Sequence, residues 1–219
     1  MPRPSRNIDQ LLIGAALELM PTTGTRALSI RRVCEHAGVN LGMFHYHFKA
    51  KDVFLRAVLQ QMYDGMFATL VIEAQRQSEP KENLRSAIMT LALFARDRRH
   101  LLARLINDAL AGETIALEFL QRNLARHISL VVMLISAAQR DGTLRRMPPL
   151  EALAFLVGGV GAPILLGTAA TDGGMLPVAL AAQFESVSLT DDAIATRVEM
   201  ALAGLAQPTT RETKSGGRK

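Results

Sequence analysis

The chain has 219 residues, 25 Lys and Arg against 20 Asp and Glu, a net charge of +5, and 49% hydrophobic residues. That length and apolar content exclude a disordered protein and allow either one domain or a small domain on a larger one. With no Trp, two Tyr and a single cysteine, Cys34, the composition favours helices over sheets and excludes an intrachain disulfide or a multi-cysteine metal site. A reducing, cytoplasmic setting fits one cysteine, and the start of the chain lacks the continuous apolar run of a signal peptide.

In chain order, residues 1–6 read as a flexible arm with two prolines and two arginines, and a minor-groove arm is the alternative. A first helix is expected from Asn7 to Met20, with Ile8, Leu11, Leu12, Ala15 and Leu19 on one face and Pro21 and Gly24 ending it. Ser29 then offers an N-cap to a short helix whose apolar face is Ile30, Val33 and Ala37. Gly38 follows, where a helix end needs a residue that tolerates positive φ. Asn40 can cap a second short helix with Leu41, Phe44 and Phe48 packed inward and Gly42, Met43 and Tyr46 pointing away. Two short helices joined by a glycine-containing turn make a helix-turn-helix, whose second helix would enter a DNA major groove.

On Ala37-Gly38-Val39, Gly42, Phe44, Phe48, Lys51 and Asp52, this stretch resembles the tetracycline-repressor-like (TetR) family of bacterial transcription regulators. It departs from the usual pattern at Cys34, Asn40, His45 and Ala50, although Asn40 keeps the capping function. The resemblance implies an all-α protein with a three-helix DNA-binding domain, expected over residues 1–51. A larger helical effector-binding and dimerisation domain is expected over residues 52–206, and a disordered basic tail over 207–219. Such regulators act as homodimers on palindromic double-stranded DNA and bind a small-molecule effector.

Charge follows the same division. Residues 1–51 carry seven basic side chains against Asp9, Glu18 and Glu35, a net +4, whereas residues 52–206 carry 14 basic and 16 acidic ones, a net −2. The excess of cations lies on the helix-turn-helix, as phosphate binding requires. DNA contact is expected from Ser29, Arg31, Arg32, Asn40, Leu41, Gly42, Met43, His45, Tyr46, His47 and Lys51. Tyr46 and Met43 would read base edges, and Arg31, His45, His47 and Lys51 would hold phosphates.

A long helix is expected from Lys51 to Arg76 with Val53, Phe54, Ala57, Val58, Met62, Gly65 and Met66 inward. Others are expected over 82–96, 98–111 and 113–140. Residues 152–170 contain no charge. They suit a subunit interface through Gly158, Gly159 and Gly161, with Pro163 kinking or dividing the helix, and by length they could also cross a bilayer. Residues 171–190 read as loop-like, with a turn or short helix at Leu180–Phe184, and a last helix spans 191–205. Dimerisation is expected from Phe155, Gly158, Gly159, Ile194, Val198 and Leu202. A mainly apolar effector is expected among Met62, Met66, Met89, Phe94, Phe119, Arg104, Asn107, Asp108, Asn123 and His127.

No nucleophile elbow, phosphate loop or zinc-protease motif occurs, and His45 and His47, two apart on a helix, do not share a face. The chain is therefore read as neither an enzyme nor a metal or cofactor protein. The competing reading is a membrane-associated or helical interaction protein that uses residues 152–170.

Overall fold

The computed structural model describes residues 5–76 and 78–208, the first three of these as backbone only. Most of the expected N-terminal arm and the tail from Thr209 lie outside the described residues. The described chain is all-α: α1 (Ser5–Thr23), α2 (Ile30–Ala37), α3 (Leu41–Phe48), α4 (Lys51–Glu73), α5 (Pro80–Asp97), α6 (Arg99–Leu110), α7 (Thr114–Arg140), α8 (Pro149–Leu156), a π-helical turn (Val157–Gly161), α9 (Ala162–Asp172), α10 (Val178–Ser188) and α11 (Asp191–Leu205).

Two hydrophobic cores divide it. The first gathers Leu12, Ala16 and Met20 of α1, Val33 of α2, Phe44 and Phe48 of α3 and Phe54, Leu55, Val58, Leu59 and Met62 of α4. Leu101 and Leu105 of α6 and Ile115 and Ala116 of α7 close it from the other side, so this core extends well beyond residue 51. The second is built from Tyr63, Met66 and Leu70 of α4 with the inner faces of α5, α7, α8, α9 and α11. The long helix α4 therefore passes from one core to the other between Met62 and Tyr63.

Several expectations need correction. Pro21 sits inside the last turn of α1 instead of ending it, because a proline there removes one N–H donor only; Gly24, at φ +66° with its N–H on the Met20 carbonyl, is the stop. On α4, Val53 and Gly65 face solvent, and Leu55, Leu59, Tyr63 and Leu70 take the inward places. Pro163 does not divide its helix. The turn before it widens so that the Ala162 N–H reaches the Val157 carbonyl five residues back, and the helix runs on into α9. Only Ala152, Leu156, Val160, Ile164 and Thr168 of this stretch are buried, a single stripe at four-residue spacing. Pro149–Asp172 is apolar and long enough to cross a membrane, but that stripe belongs to the second core.

Residues 178–188 form a helix of 11 residues, longer than the turn or short helix expected at Leu180–Phe184 within a loop. Helix α10 buries none of its own residues, so no inward face imposed a period on its sequence. It rests on Phe184, whose ring occupies the space above Gly167; a β-carbon there would lie 2.1 Å from the ring.

Candidate DNA-reading head and effector cleft

The helix-turn-helix is fixed by local chemistry. Ser29 Oγ accepts the Arg32 N–H at 3.5 Å, and Gly38, at φ +65°, turns the chain so that its N–H and that of Val39 reach the Glu35 and Cys34 carbonyls. Asn40 Oδ1 then accepts the Met43 N–H at 2.9 Å and starts α3. Beneath α3 the rings of Phe44 and Phe48 meet Phe54 of α4 at centroid distances of 5.2 and 4.8 Å, in edge-on contact. This aromatic base sets the angle at which α3 projects.

The outward face of α3 presents Leu41, Gly42, His45 and Tyr46, with Met43 half-buried beside them; Tyr46 is 74% exposed. Leu41, expected inward, is 46% exposed and belongs to this outer surface. Arg31 and Arg32 are exposed on α2, Arg31 lying 3.9 Å from Glu35. Two expected phosphate ligands are already engaged or covered. Lys51 Nζ donates to the Arg26 carbonyl at 2.9 Å, tying the start of α4 to the α1–α2 turn. His47 is half-buried with its Nε2 out of reach of solvent, so that atom is not presented to a phosphate. Sequence reading missed Lys49, which is exposed, lies at φ +60° and ends α3. Its adjacency to Phe48 was the available signal.

Polar contacts join this head to the helices behind it. Thr25, fully buried, donates its N–H to Asp108 Oδ2 at 2.8 Å, and its hydroxyl lies 2.7 Å from the same oxygen and 3.1 Å from Glu113 Oε2. Glu113 is the N-cap of α7 and accepts the Ala116 N–H at 2.7 Å. Gln10 of α1 and Gln61 of α4 exchange amide hydrogen bonds of 2.7 and 3.3 Å, and Arg56 pairs with Glu118 at 2.9 Å. These contacts span 51 to 88 residues of sequence and leave no local pattern.

Between head and body lies an open cleft of about 640 Å³ lined by Leu17, Gln61, Met62, Gly65, Met66, Phe94, Asp97 and Arg98. Of the expected effector residues, Met62, Met66 and Phe94 line it and the rest do not. Arg104 and Asn107 are exposed on α6, and Asp108 faces Thr25. Met89 and Phe119 pack against core clusters. Asn123 is buried between α4 and α7, where its carbonyl accepts the Tyr63 hydroxyl at 2.8 Å. His127 stands beside Tyr63, and burial holds its imidazole below the ordinary pKa.

The expected dimerisation residues separate into two groups. Ile194, Val198 and Leu202 are fully buried within their own chain, facing the second core, and cannot meet a second subunit. The apolar period of α11 marks intramolecular packing. Phe155, Gly158 and Gly159 are exposed, and α8 to α11 and the π-helical turn also expose Val157, Leu166, Val178, Leu180, Val187 and Met200, each at least half exposed.

Residues 12–58 match the family described as bacterial regulatory proteins, tetR family. The HTH-type transcriptional repressor KstR2 of Mycolicibacterium smegmatis is 28% identical over 98 residues, 45% of this chain, and the match spans about half (47%) of that relative's length. Two solved structures share the fold nearly end to end. A TetR-family transcriptional regulator from Agrobacterium tumefaciens superposes with a TM-score of 0.69 at 14% identity, over 92% of this chain and 99% of that one. The ketosteroid transcriptional regulator KstR2 of Mycobacterium tuberculosis gives 0.65 at 15% identity, over 94% and 98%. Over residues 12–58 the chain is thus similar to the tetR family of bacterial regulatory proteins, and its all-α fold is the one these solved regulators share.

Proposed function

We infer that this protein is a homodimeric, sequence-specific DNA-binding repressor that releases its operator when a small, mainly apolar ligand binds. The observation that carries the reading is the outward face of α3. Gly42, Met43 and Tyr46 stand on a helix that is capped at its start, seated on three phenylalanine rings and flanked by Arg31, Arg32 and Lys49. Glycine lets a backbone approach close to DNA, Met43 suits thymine methyls, and the Tyr46 hydroxyl suits a base edge or phosphate. Arg31, Arg32 and Lys49 supply the phosphate contacts, with the remaining Lys51 donors beside them.

One recognition helix covers too few base pairs for useful specificity, which supports a dimer. The exposed apolar surface around Phe155, Val157, Leu166 and Met200 is the face such a dimer would bury, since a soluble monomer tolerates a surface of this kind poorly. Effector control needs only that the ligand prefer the DNA-free geometry, by a few kcal/mol. The cleft lined by Met62 and Met66 supports this reading, because a ligand bound there would lie against α4 where it passes between the cores. Selection of bound fragments from a random DNA pool tests the reading. It should return a palindrome whose half-sites lie about one helical turn apart, roughly 34–36 Å. Recovery of unselected sequence would refute specific DNA reading.

A further inference from the structure

The cleft has features that go beyond a generic apolar site. Its floor is Met62, Met66 and Phe94, and Leu17 contributes a wall from α1, a helix of the head. Its volume, about 640 Å³, lies within the usual range for small-molecule sites. Gly65 opens onto it with nothing within 4 Å of where a β-carbon would stand. The rim is unevenly charged. Asp97 is occupied by Arg96, 2.7 Å away, and Arg96 is shared with Asp191 and the Leu189 carbonyl. Gln61 is held by Gln10. Arg98 is exposed and has no carboxylate within ion-pair distance among the described residues. An apolar floor under one uncommitted guanidinium matches a molecule with an aliphatic body and a single anionic end.

We propose that the cleft binds amphiphilic carboxylates, with the aliphatic or alicyclic body against Leu17, Met62, Met66 and Phe94 and the carboxylate on Arg98. This deepens the effector reading above and rests on it for the consequence, not for the binding. A body lodged between Leu17 and Met62 separates α1 from α4 and strains the Gln10–Gln61 amide pair, so it acts on the seating of the head directly.

The full-length protein is titrated with decanoate and with decan-1-ol, which share a chain length and differ in charge. Decanoate should raise the melting temperature and bind about tenfold more tightly than the alcohol, the worth of one partly exposed charge-assisted contact. Arg98→Gln should erase that preference while leaving alcohol binding intact. Gly65→Leu fills the cleft from a helical position with free space around it, so it should abolish binding of both and keep or raise the melting temperature. Binding that survives Gly65→Leu, a carboxylate preference that survives Arg98→Gln, or wild type that binds neither probe would each overturn the proposal. Gel shift on the selected operator separates the two readings. Operator binding with no cleft binding sinks the ligand class alone. Cleft binding with no DNA preference sinks the regulator reading and leaves the site.

Discussion

Two pairs of short helices in this molecule are joined by glycine-containing turns, and they differ in how they are held. The pair α2–α3 has side-chain caps at both starts, a left-handed glycine between the helices and buried Val33, Cys34, Phe44 and Phe48 beneath. The pair α9–α10 has glycines 173 and 174 and Pro177 at its junction, no side-chain cap on α10, and no buried residue in α10. Both present exposed apolar groups. In the first, the exposed residues are few and stand on a rigid base, which suits reading a fixed partner such as DNA. In the second the apolar surface is broad and its support thin, which suits a surface completed by assembly.

The largest expected effect separates packing from assembly within the second half. Val198→Glu places an unpaired charge in the core and should abolish cooperative unfolding, at a cost of about 3–5 kcal/mol. Leu166→Glu, on the 69% exposed side chain, should keep the melting transition and shift sedimentation toward monomer. Equal loss of fold in both variants would contradict the division drawn here. In the head, Phe44→Ala should cost about 3–5 kcal/mol and Phe184→Ala on α10 far less, as read by chemical denaturation.

How much of this was legible in the sequence follows the same contrast. Ser29, Gly38, Asn40, Phe44 and Phe48 act largely through neighbours close in sequence, so their spacing carried the helix-turn-helix, but not the outward turn of Leu41 or the closure of its core by α6 and α7. Ile194, Val198 and Leu202 have a helical period that states only that one face is covered, not by which chain. Helix α10 lacked a period because it meets the body mainly through Phe184 and buries no residue of its own. The Thr25–Asp108–Glu113 and Gln10–Gln61 contacts, and the meeting of Leu17 with Arg98 across the cleft, depend on tertiary packing with no sequence signature.

Smaller effects sharpen the comparison. Thr25→Val leaves Asp108 Oδ2 without its hydroxyl partner and should lower stability by about 1–3 kcal/mol, with a larger loss of operator affinity than Asn40→Ala causes through stability alone. Asn40→Ala removes the cap of α3 and should cost about 1 kcal/mol in thermal unfolding.

The smallest concerns pH. Burial lowers the His127 pKa from its ordinary 6.5, so the folded state favours the neutral ring. The unfolded chain binds the proton more readily, so this stability is complete above about pH 6.5 and is lost as pH falls toward and through the folded value. Replacing His127 with Gln should flatten the decline in melting temperature on the acid side and leave the neutral plateau near its original height; an unchanged acid slope would contradict this.

The central claim is that the outer face of α3 reads sequence from a rigid aromatic base. It is tested most directly by measuring the affinity of Tyr46→Ala for the selected operator and for random DNA across a salt series, beside Arg31→Ala. Tyr46→Ala should reduce the operator-to-random ratio with an unchanged salt slope, and Arg31→Ala should weaken both DNAs alike and make the salt slope shallower. Equal losses on both DNAs in both variants, with salt slopes unmoved, would contradict the account.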